Sequence, residues 1–504
     1  MSELVSYGRQ VALLAEQHPE RTAIIFVRVD GSERLVDWRE LDRRSNQVAQ
    51  AMEARGVNAA SLVVVGLPNC PEHFFATYGA WKLGALVLPM RAALPQRERD
   101  AMLELGAPAL VVADWQEVAW PLLTLAELDA TVTLPLAELP DRIPHPGKAI
   151  GSGGSTGRPK IIVDPRPWAG VPNEFIDRDR SGFRPGQVQL VAGPLYHNSP
   201  FSWSNFGLFY DQTLVLMERF NAALALELIE RYRVNWAFTP PTMLRRMYLE
   251  PDVHTRDLSS IERLFLTAAP CPPWLKRFWI ERLGPTKIYE AFGSSEAVGH
   301  TDILGDEWLE HPGSVGRPQD TDLRILDEAG NELPPGEVGE IFMRRHDYPE
   351  PTYAYIGSPP AKTTSDGFTS VGDMGWVDAD GYLFLADRRT DLIITGGANV
   401  YPAEVEAALI EHPLVYDVAV IGVPDDDWGK RVHAIIQPPH LDAAPDVAAL
   451  DAHVRERLAA YKAPKTYEFV AQLPRDDAGK IRRAALAAER ESGWTDTMVR
   501  LTNA

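Results

Sequence analysis

Only two of the 504 residues are cysteine, Cys70 and Cys271. That excludes a disulfide framework, and no His/Cys cluster has the spacing of a zinc site. Basic residues are outnumbered, since 50 Lys and Arg against 70 Asp and Glu leave a formal charge of −20. A chain so charged repels nucleic acid as a whole, and no nucleic-acid partner is expected. Long apolar runs are lacking too: residues 62–67 are too few to cross a bilayer and Lys82 interrupts 74–90, so no membrane span is expected. Met1, Ser2, Glu3 and Leu4 do not open a basic region followed by an apolar core. A signal peptide is therefore not expected, and the reading is a cytoplasmic protein. The 37 glycines are an ordinary share, whereas the 41 prolines exceed one and point to rigid turns. What is present is globular: 45% apolar and 24% charged residues, with chain enough for two or three domains.

Short β-rich runs at 23–27, 62–67, 85–88 and 109–112 alternate with helical stretches, an α/β pattern. Trp38, Leu41, Val48 and Met52 recur at helical spacing with charges between them, and Gly56 follows as a stop. No internal repeat or low-complexity tract is present. After Phe384 a charged break, residues 385–391, separates two apolar runs. The expected division is a first domain over 1–386, a hinge over 387–391 and a small domain over 392–504. The small domain should hold a helix from 403, strands at 415–423 and 432–436, a helix over 447–459 and a strand at 467–470.

The most informative segment is Ser152, Gly153, Gly154, Ser155, Thr156, Gly157, Arg158, Pro159, Lys160, flanked by apolar residues. Its glycines let backbone N–H groups face an anion, the hydroxyls add donors and Lys160 adds charge, so it reads as a phosphate loop between two strands. By itself it also reads as a surface turn. It is not the common nucleotide loop, which places Lys directly after the last Gly and Ser or Thr next, before a helix.

This segment closely resembles the signature of adenylate-forming enzymes, the superfamily of acyl-CoA synthetases, nonribosomal adenylation domains and luciferases. The resemblance recurs in the family's order at Phe292, Gly293, Ser294, Ser295, Glu296; at Gly372, Asp373, Met374, Gly375; at Asp387, Arg388; and at Leu473, Pro474, Arg475 through Gly479, Lys480. It implies a large N-terminal α/β domain of several sheets with a small mobile C-terminal α+β domain. It also implies a reaction in which ATP and magnesium activate a carboxylic acid as an acyl-adenylate. Bringing a carboxylate beside a polyphosphate requires a metal, a Lys and backbone dipoles to neutralise like charges.

By this resemblance Glu296 holds magnesium, Ser295 touches phosphate and Phe292 lies by the adenine. Asp373 and Arg388 take the ribose hydroxyls, and Lys480 swings onto the carboxylate and α-phosphate before leaving as the small domain rotates. Read alone, Glu296 is also a helix-start carboxylate, Asp373 a turn residue and Lys480 a solvated loop lysine. The family's hinge position falls on Thr390, with Asp391 next.

For the acid, Tyr196, His197 and Asn198 resemble the family segment bordering the acyl pocket, although His197 also reads as a core residue. No Asp occurs between Pro194 and Tyr210, which disfavours amino acids. Trp203, Phe206, Thr239, Pro240, Ala268, Ala269, Tyr289 and Ala291 are candidate walls for an aryl or bulky alicyclic acid, with plain core as the alternative. For the acceptor, Trp428 with Lys430 and Arg431, Lys465, and the Gly396, Gly397 turn look like CoA-ligase features: an aromatic face for adenine, cations for phosphate and glycines beside the pantetheine. Ala463 stands where some relatives carry Arg. The expected activity is an acyl-CoA synthetase, with an amide bond synthetase using a free amine as the alternative and an inactive nucleotide-binding homologue as a second. The partners are a small carboxylic acid and CoA or an amine, and a homodimer is left open.

Overall fold

The computed structural model describes residues 4–136, 139–153, 159–172, 178–346, 351–388, 391–425, 427–476, 479, 481–491 and 498–500 of the chain. The amphipathic stripe read from the sequence becomes the helix Trp38–Glu53, capped by Asp37, whose side chain accepts from the backbone N–H of Glu40 at 2.6 Å. Trp38, Leu41, Val48 and Met52 are all buried, and Gly56 follows the helix at φ +88°. This helix packs on Pro71–Lys82, which is buried along its whole length. The helix tolerates Lys82 because its ammonium meets Asp42 at 2.6 Å and the oxygens of Ser45 and Asn46 at 2.8 Å.

Two large sheets carry the first domain. One has nine strands among the described residues. Its middle six, Ile288–Gly293, Arg263–Leu266, Trp236–Phe238, Val188–Val191, Thr213–Met217 and Thr22–Val27, run parallel, with antiparallel strands at both edges. The other has seven, ordered Ala354–Ile356, Pro159–Asp164, Lys148–Gly153, Leu86–Pro89, Leu62–Gly66, Leu110–Ala113 and Leu122–Leu123. The parallel strands are mostly apolar, as burial on both faces requires, and the buried Glu290 among them is paired with Lys276.

A third, antiparallel sheet contains Asp373–Val377 and Leu383–Arg388. The latter strand runs on through Arg388, so Asp387 and Arg388, two of the five residues expected to form a hinge, are paired in this sheet. The next described strand, Ile393–Thr395, belongs to the C-terminal sheet built around Asp417–Asp425, Gly429–Gln437 and Thr466–Phe469. Its two faces bury separate apolar clusters, one holding Val418, Val432 and Leu450 and the other Ile421, Ile435 and Leu486. The small domain thus has a core of its own. The expected α/β class, a large part of several sheets and a smaller α+β part, is what forms. No described helix is long and apolar enough to cross a membrane.

Candidate active site

The carboxyl ends of the parallel strands open onto one edge of the large sheet, the place where α/β folds bind ligands. The loops at Gly193–His197, Thr239–Pro240, Ala268–Ala269 and Ser294–Glu296 all leave the sheet there. The glycine-rich segment comes from the other sheet: Lys148–Gly153 and Pro159–Asp164 pair antiparallel, Ser152 opposite Lys160 and Gly153 opposite Pro159. Gly154, Ser155, Thr156, Gly157 and Arg158, the tip of that hairpin, lie outside the described residues, as do Thr390 and Lys480.

Lys160 reaches across to Glu296. Its Nζ donates to Glu296 Oε1 at 3.1 Å and to the Tyr355 hydroxyl at 3.0 Å, and Tyr355 Oη donates to the same carboxylate oxygen at 2.6 Å. Strand geometry explains the meeting. Tyr355 stands directly opposite Ile162, and Lys160, two residues earlier on the same face, is its diagonal neighbour. Burial of the Glu296 carboxyl opposes its charged form, but the Tyr355 hydrogen bond and the Lys160 charge outweigh this and hold it below the ordinary carboxylate range. Burial and the same hydrogen bond push the Tyr355 phenol well up, so it stays a neutral donor.

Beside this cluster is a shallow cleft whose lining includes Phe292, Ser294, Val298, Met343, Val371 and Asp373. It brings together Phe292 and Asp373, which come from different sheets. Asp373 and Arg388 are register partners on adjacent strands. Of the motif's two serines it is Ser294 that lines the cleft, with its Oγ buried and unpartnered, while Ser295 lies outside that lining.

On the acid side, His197 precedes the helix Asn198–Phe209, with the Tyr196 ring 4.4 Å away and Asp476 of the small domain 3.9 Å from its Nε2. Trp203, on the same helix, packs in a cluster with Phe183, Phe206, Trp236 and Phe265 and lines a narrow cavity with Gly193, Pro200, Phe238 and Gln189. Asn198 is not at that cavity. Its Oδ1 accepts from the buried Lys148 ammonium at 2.9 Å, because the hairpin strand needs a partner for a charge whose pKa burial lowers to about 8. Ala268, at φ +77°, and Ala269 are exposed, while Ala291 is half-buried against the aromatic core and Thr239 is buried with its hydroxyl unpartnered.

On the small domain, Trp428 is 48% exposed, with the Lys465 ammonium 5.3 Å from its ring centroid and the Gly396 N–H bonded to its carbonyl at 2.9 Å. Gly396 is at φ +55° and a Cβ there would collide with the indole, so this turn requires glycine. Gly397 follows at φ +80°. Arg431 is bound to Asp425, which also accepts from the Trp428 N–H. Ala463 is buried in the domain core.

The description AMP-binding enzyme matches residues 11–348, and AMP-binding enzyme C-terminal domain matches 404–480. The chain belongs to the AMP-binding enzyme family. A feruloyl-CoA synthase from Amycolatopsis is 33% identical over 486 residues, covering 93% of this chain and 95% of that protein. Among solved structures, o-succinylbenzoate CoA synthetase from Bacillus subtilis, in complex with its acyl-adenylate intermediate, superposes with a TM-score of 0.81 at 26% identity, covering 95% and 97% of the two chains. The amide bond synthetase McbA from Marinactinospora thermotolerans gives 0.78 at 26% identity over 96% and 99%. The family's two-domain adenylate-forming architecture is therefore that of this chain. The sequence motifs located Lys160, Glu296, Phe292 and Asp373 but not Tyr355, which lies 195 residues from Lys160 and is brought to it only by strand pairing.

Proposed function

We propose that the protein activates a carboxylic acid with ATP and passes the acyl group to CoA, as an AMP-forming acid–thiol ligase. A carboxylate oxygen of the acid bonds to the α-phosphorus as pyrophosphate leaves. The CoA sulfur then bonds to the acyl carbon as AMP leaves and the thiol proton passes to solvent. The observation that carries this reading is the buried Glu296 carboxylate, held by Lys160 and Tyr355 beside the cleft that joins Phe292 to Asp373.

Phe292 supports the adenine and Asp373, with Arg388 on the neighbouring strand, the ribose. A buried carboxylate oxygen fits a hard divalent ion, so Glu296 is the residue that would hold magnesium. Bound there, the metal would neutralise charge on the phosphates. Lys160 and the glycine-rich segment would bind phosphate oxygens, Lys480 the reacting carboxylate and α-phosphate. Trp428, Lys465, Gly396 and Gly397 would receive CoA. The hinge belongs to the same proposal, near 387–391. The aromatic group around Trp203, and the feruloyl and succinylbenzoyl acids of the relatives, favour an aryl acid. A cytoplasmic site of action accords with two free thiols.

The likeness to an amide bond synthetase supports a second reading, in which a free amine takes the acyl group. The deciding experiment has two stages. Aryl acids should support pyrophosphate exchange with ATP, and the purified enzyme-bound adenylate should then be discharged by CoA faster than by amines. No exchange with any acid would defeat the proposal, while discharge by amine alone would transfer it to the second reading.

A further inference from the structure

Both donors to Glu296 fall on one oxygen. Lys160 Nζ and Tyr355 Oη each bond Oε1, and no other described side chain donates to this carboxylate. Tyr355 is also held independently of Lys160. Its ring lies 4.6 Å from that of Tyr353, whose hydroxyl accepts from the Ala361 N–H at 2.8 Å. Three residues before Tyr355, Thr352 Oγ1 donates to the backbone carbonyl of Glu296 at 2.8 Å. Residues 352–355 thus grip Glu296 by main chain and side chain together.

We propose that Tyr355 is a positioning residue, which keeps Glu296 aligned for the metal when Lys160 leaves it for the phosphates of ATP. The inference rests on the roles proposed above for Glu296 and Lys160. The triphosphate carries more charge than one carboxylate and draws the Lys160 ammonium toward it. Once Lys160 turns away, a carboxylate only 6% exposed would lose its remaining side-chain donor if Tyr355 were absent, and a buried, poorly paired charge is costly. A hydroxyl suits the task where a second cation would not. It satisfies Oε1 without cancelling the negative charge that attracts the metal to the carboxylate.

The test is Tyr355→Phe, which keeps the ring, its stacking on Tyr353 and its face toward Lys160, 4.0 Å from the ring centroid. Mn²⁺ binding is measured by electron paramagnetic resonance in the presence of a non-hydrolysable ATP analogue, and analogue binding without metal by calorimetry. Loss of one charge-assisted hydrogen bond should lower Mn²⁺ affinity about tenfold. Affinity for the metal-free analogue should change less than about twofold, since the lost bond touches only the carboxylate. Pyrophosphate exchange should require more Mg²⁺ and recover when it is supplied. Thr352→Val, which cuts the main-chain tie alone, should leave Mn²⁺ affinity unchanged. Equal losses with and without metal, or no loss in either, would overturn the proposal and leave Tyr355 a structural tie. If the wild-type protein itself binds the analogue no better with metal, the assignment of Glu296 fails and this inference fails with it.

Discussion

Arg482 of the small domain and Glu98 of the large one form a two-point ion pair, each nitrogen 3.0 Å from its carboxylate oxygen, yet their side chains are 70% and 43% exposed. Such a pair is worth only ~0.2–1 kcal/mol and less in salt. A second contact between the same domains is better sheltered: the Arg245 guanidinium, on the helix Pro241–Tyr248, donates to the backbone carbonyls of Val415 and Tyr416 and lies over the Tyr416 ring. Near it the Gly479 backbone passes so close to Thr242 that a Cβ would collide. These contacts hold Val415, Tyr416 and Gly479 of the small domain against the large one.

Arg245→Ala should therefore matter more than Arg482→Ala. Losing charge-assisted bonds worth ~1.5–3 kcal/mol should slow adenylate formation roughly tenfold or more, while discharge of supplied acyl-adenylate by CoA stays within about twofold. Arg482→Ala should slow adenylation by less than about fivefold at low salt and not at all at high salt. Rapid-quench measurement of each half-reaction separates the cases. If Arg245→Ala lowers both rates alike, the docked arrangement does not serve adenylation in particular.

Asp373→Ala should weaken ATP without disturbing the fold. The residue begins a strand at the edge of the cleft lined by Phe292, and its strand partner at that point is Arg388. A carboxylate accepting ribose hydroxyls contributes ~1.5–3 kcal/mol, so ATP affinity should fall roughly tenfold to a hundredfold. Calorimetry with ATP reads this directly, and an unchanged affinity would remove Asp373 from the nucleotide site.

The small domain should lose stability in acid in two stages. His433 is fully buried, with Nδ1 2.7 Å from Thr466 Oγ1 and Nε2 3.3 Å from Glu468, which Arg490 grips at 2.6 and 3.0 Å. Burial lowers the His433 pKa despite Glu468, while for Glu468 burial is outweighed by His433 and Arg490, which bring it down to about 2. Both folded values lie below the unfolded ones, so both contributions are complete above those unfolded values and are lost as pH falls. For His433 the loss begins near 6.5, and for Glu468 it runs from 4.5 down to about 2. Thermal midpoints should fall from pH 7 to 5 in the wild type, and His433→Gln should flatten that part of the curve. Glu468→Gln should flatten only the part below 4.5. Curves parallel to the wild type would show that these groups do not set the acid limit.

Where local periodicity carries the information, the sequence sufficed. The stripe Trp38, Leu41, Val48, Met52 became a buried helix face, and the run expected at 432–436 became the centre of Gly429–Gln437. The helix expected over 447–459 stops at Arg455, and a separate turn forms at Ala460–Lys462, because an apolar pattern alone carries no end signal. Motif spacing singles out Lys160, Glu296, Phe292 and Asp373, and the structure brings Lys160 to Glu296 and Phe292 to the same cleft as Asp373. Spacing could not show that Asn198 is claimed by Lys148, or that Tyr355 completes the cluster, since both depend on pairing between distant strands and helices. Trp203 was open between pocket wall and core, and the structure gives it both neighbours, four aromatic rings and a cavity.

Trp428 is the residue that separates the two acceptors. Its indole is half in solvent, backed by the Gly396 turn and flanked by Lys465, an arrangement that offers a flat face for an adenine and a cation beside it for phosphate. If CoA docks there, Trp428→Ala should remove stacking of ~1–3 kcal/mol, raise the KM for CoA roughly tenfold to a hundredfold and leave pyrophosphate exchange untouched. Gly396→Ala should act in the same direction, because its methyl would displace the indole. An amine-using enzyme behaves otherwise: its adenylate decays with amine at a rate independent of CoA, and neither substitution changes either half-reaction. Single-turnover decay of enzyme-bound adenylate, with CoA or with amine, in wild type and Trp428→Ala, distinguishes them. Ala463, buried in the core, supplies no cation to this surface, and of the lysines expected to meet phosphate, Lys465 is the one that lies against the indole. Lys465→Ala should therefore raise the KM for CoA while leaving the KM for dephospho-CoA, which lacks the 3′-phosphate, nearly unchanged. Equal increases for both would mean that Lys465 steadies the indole instead of meeting phosphate.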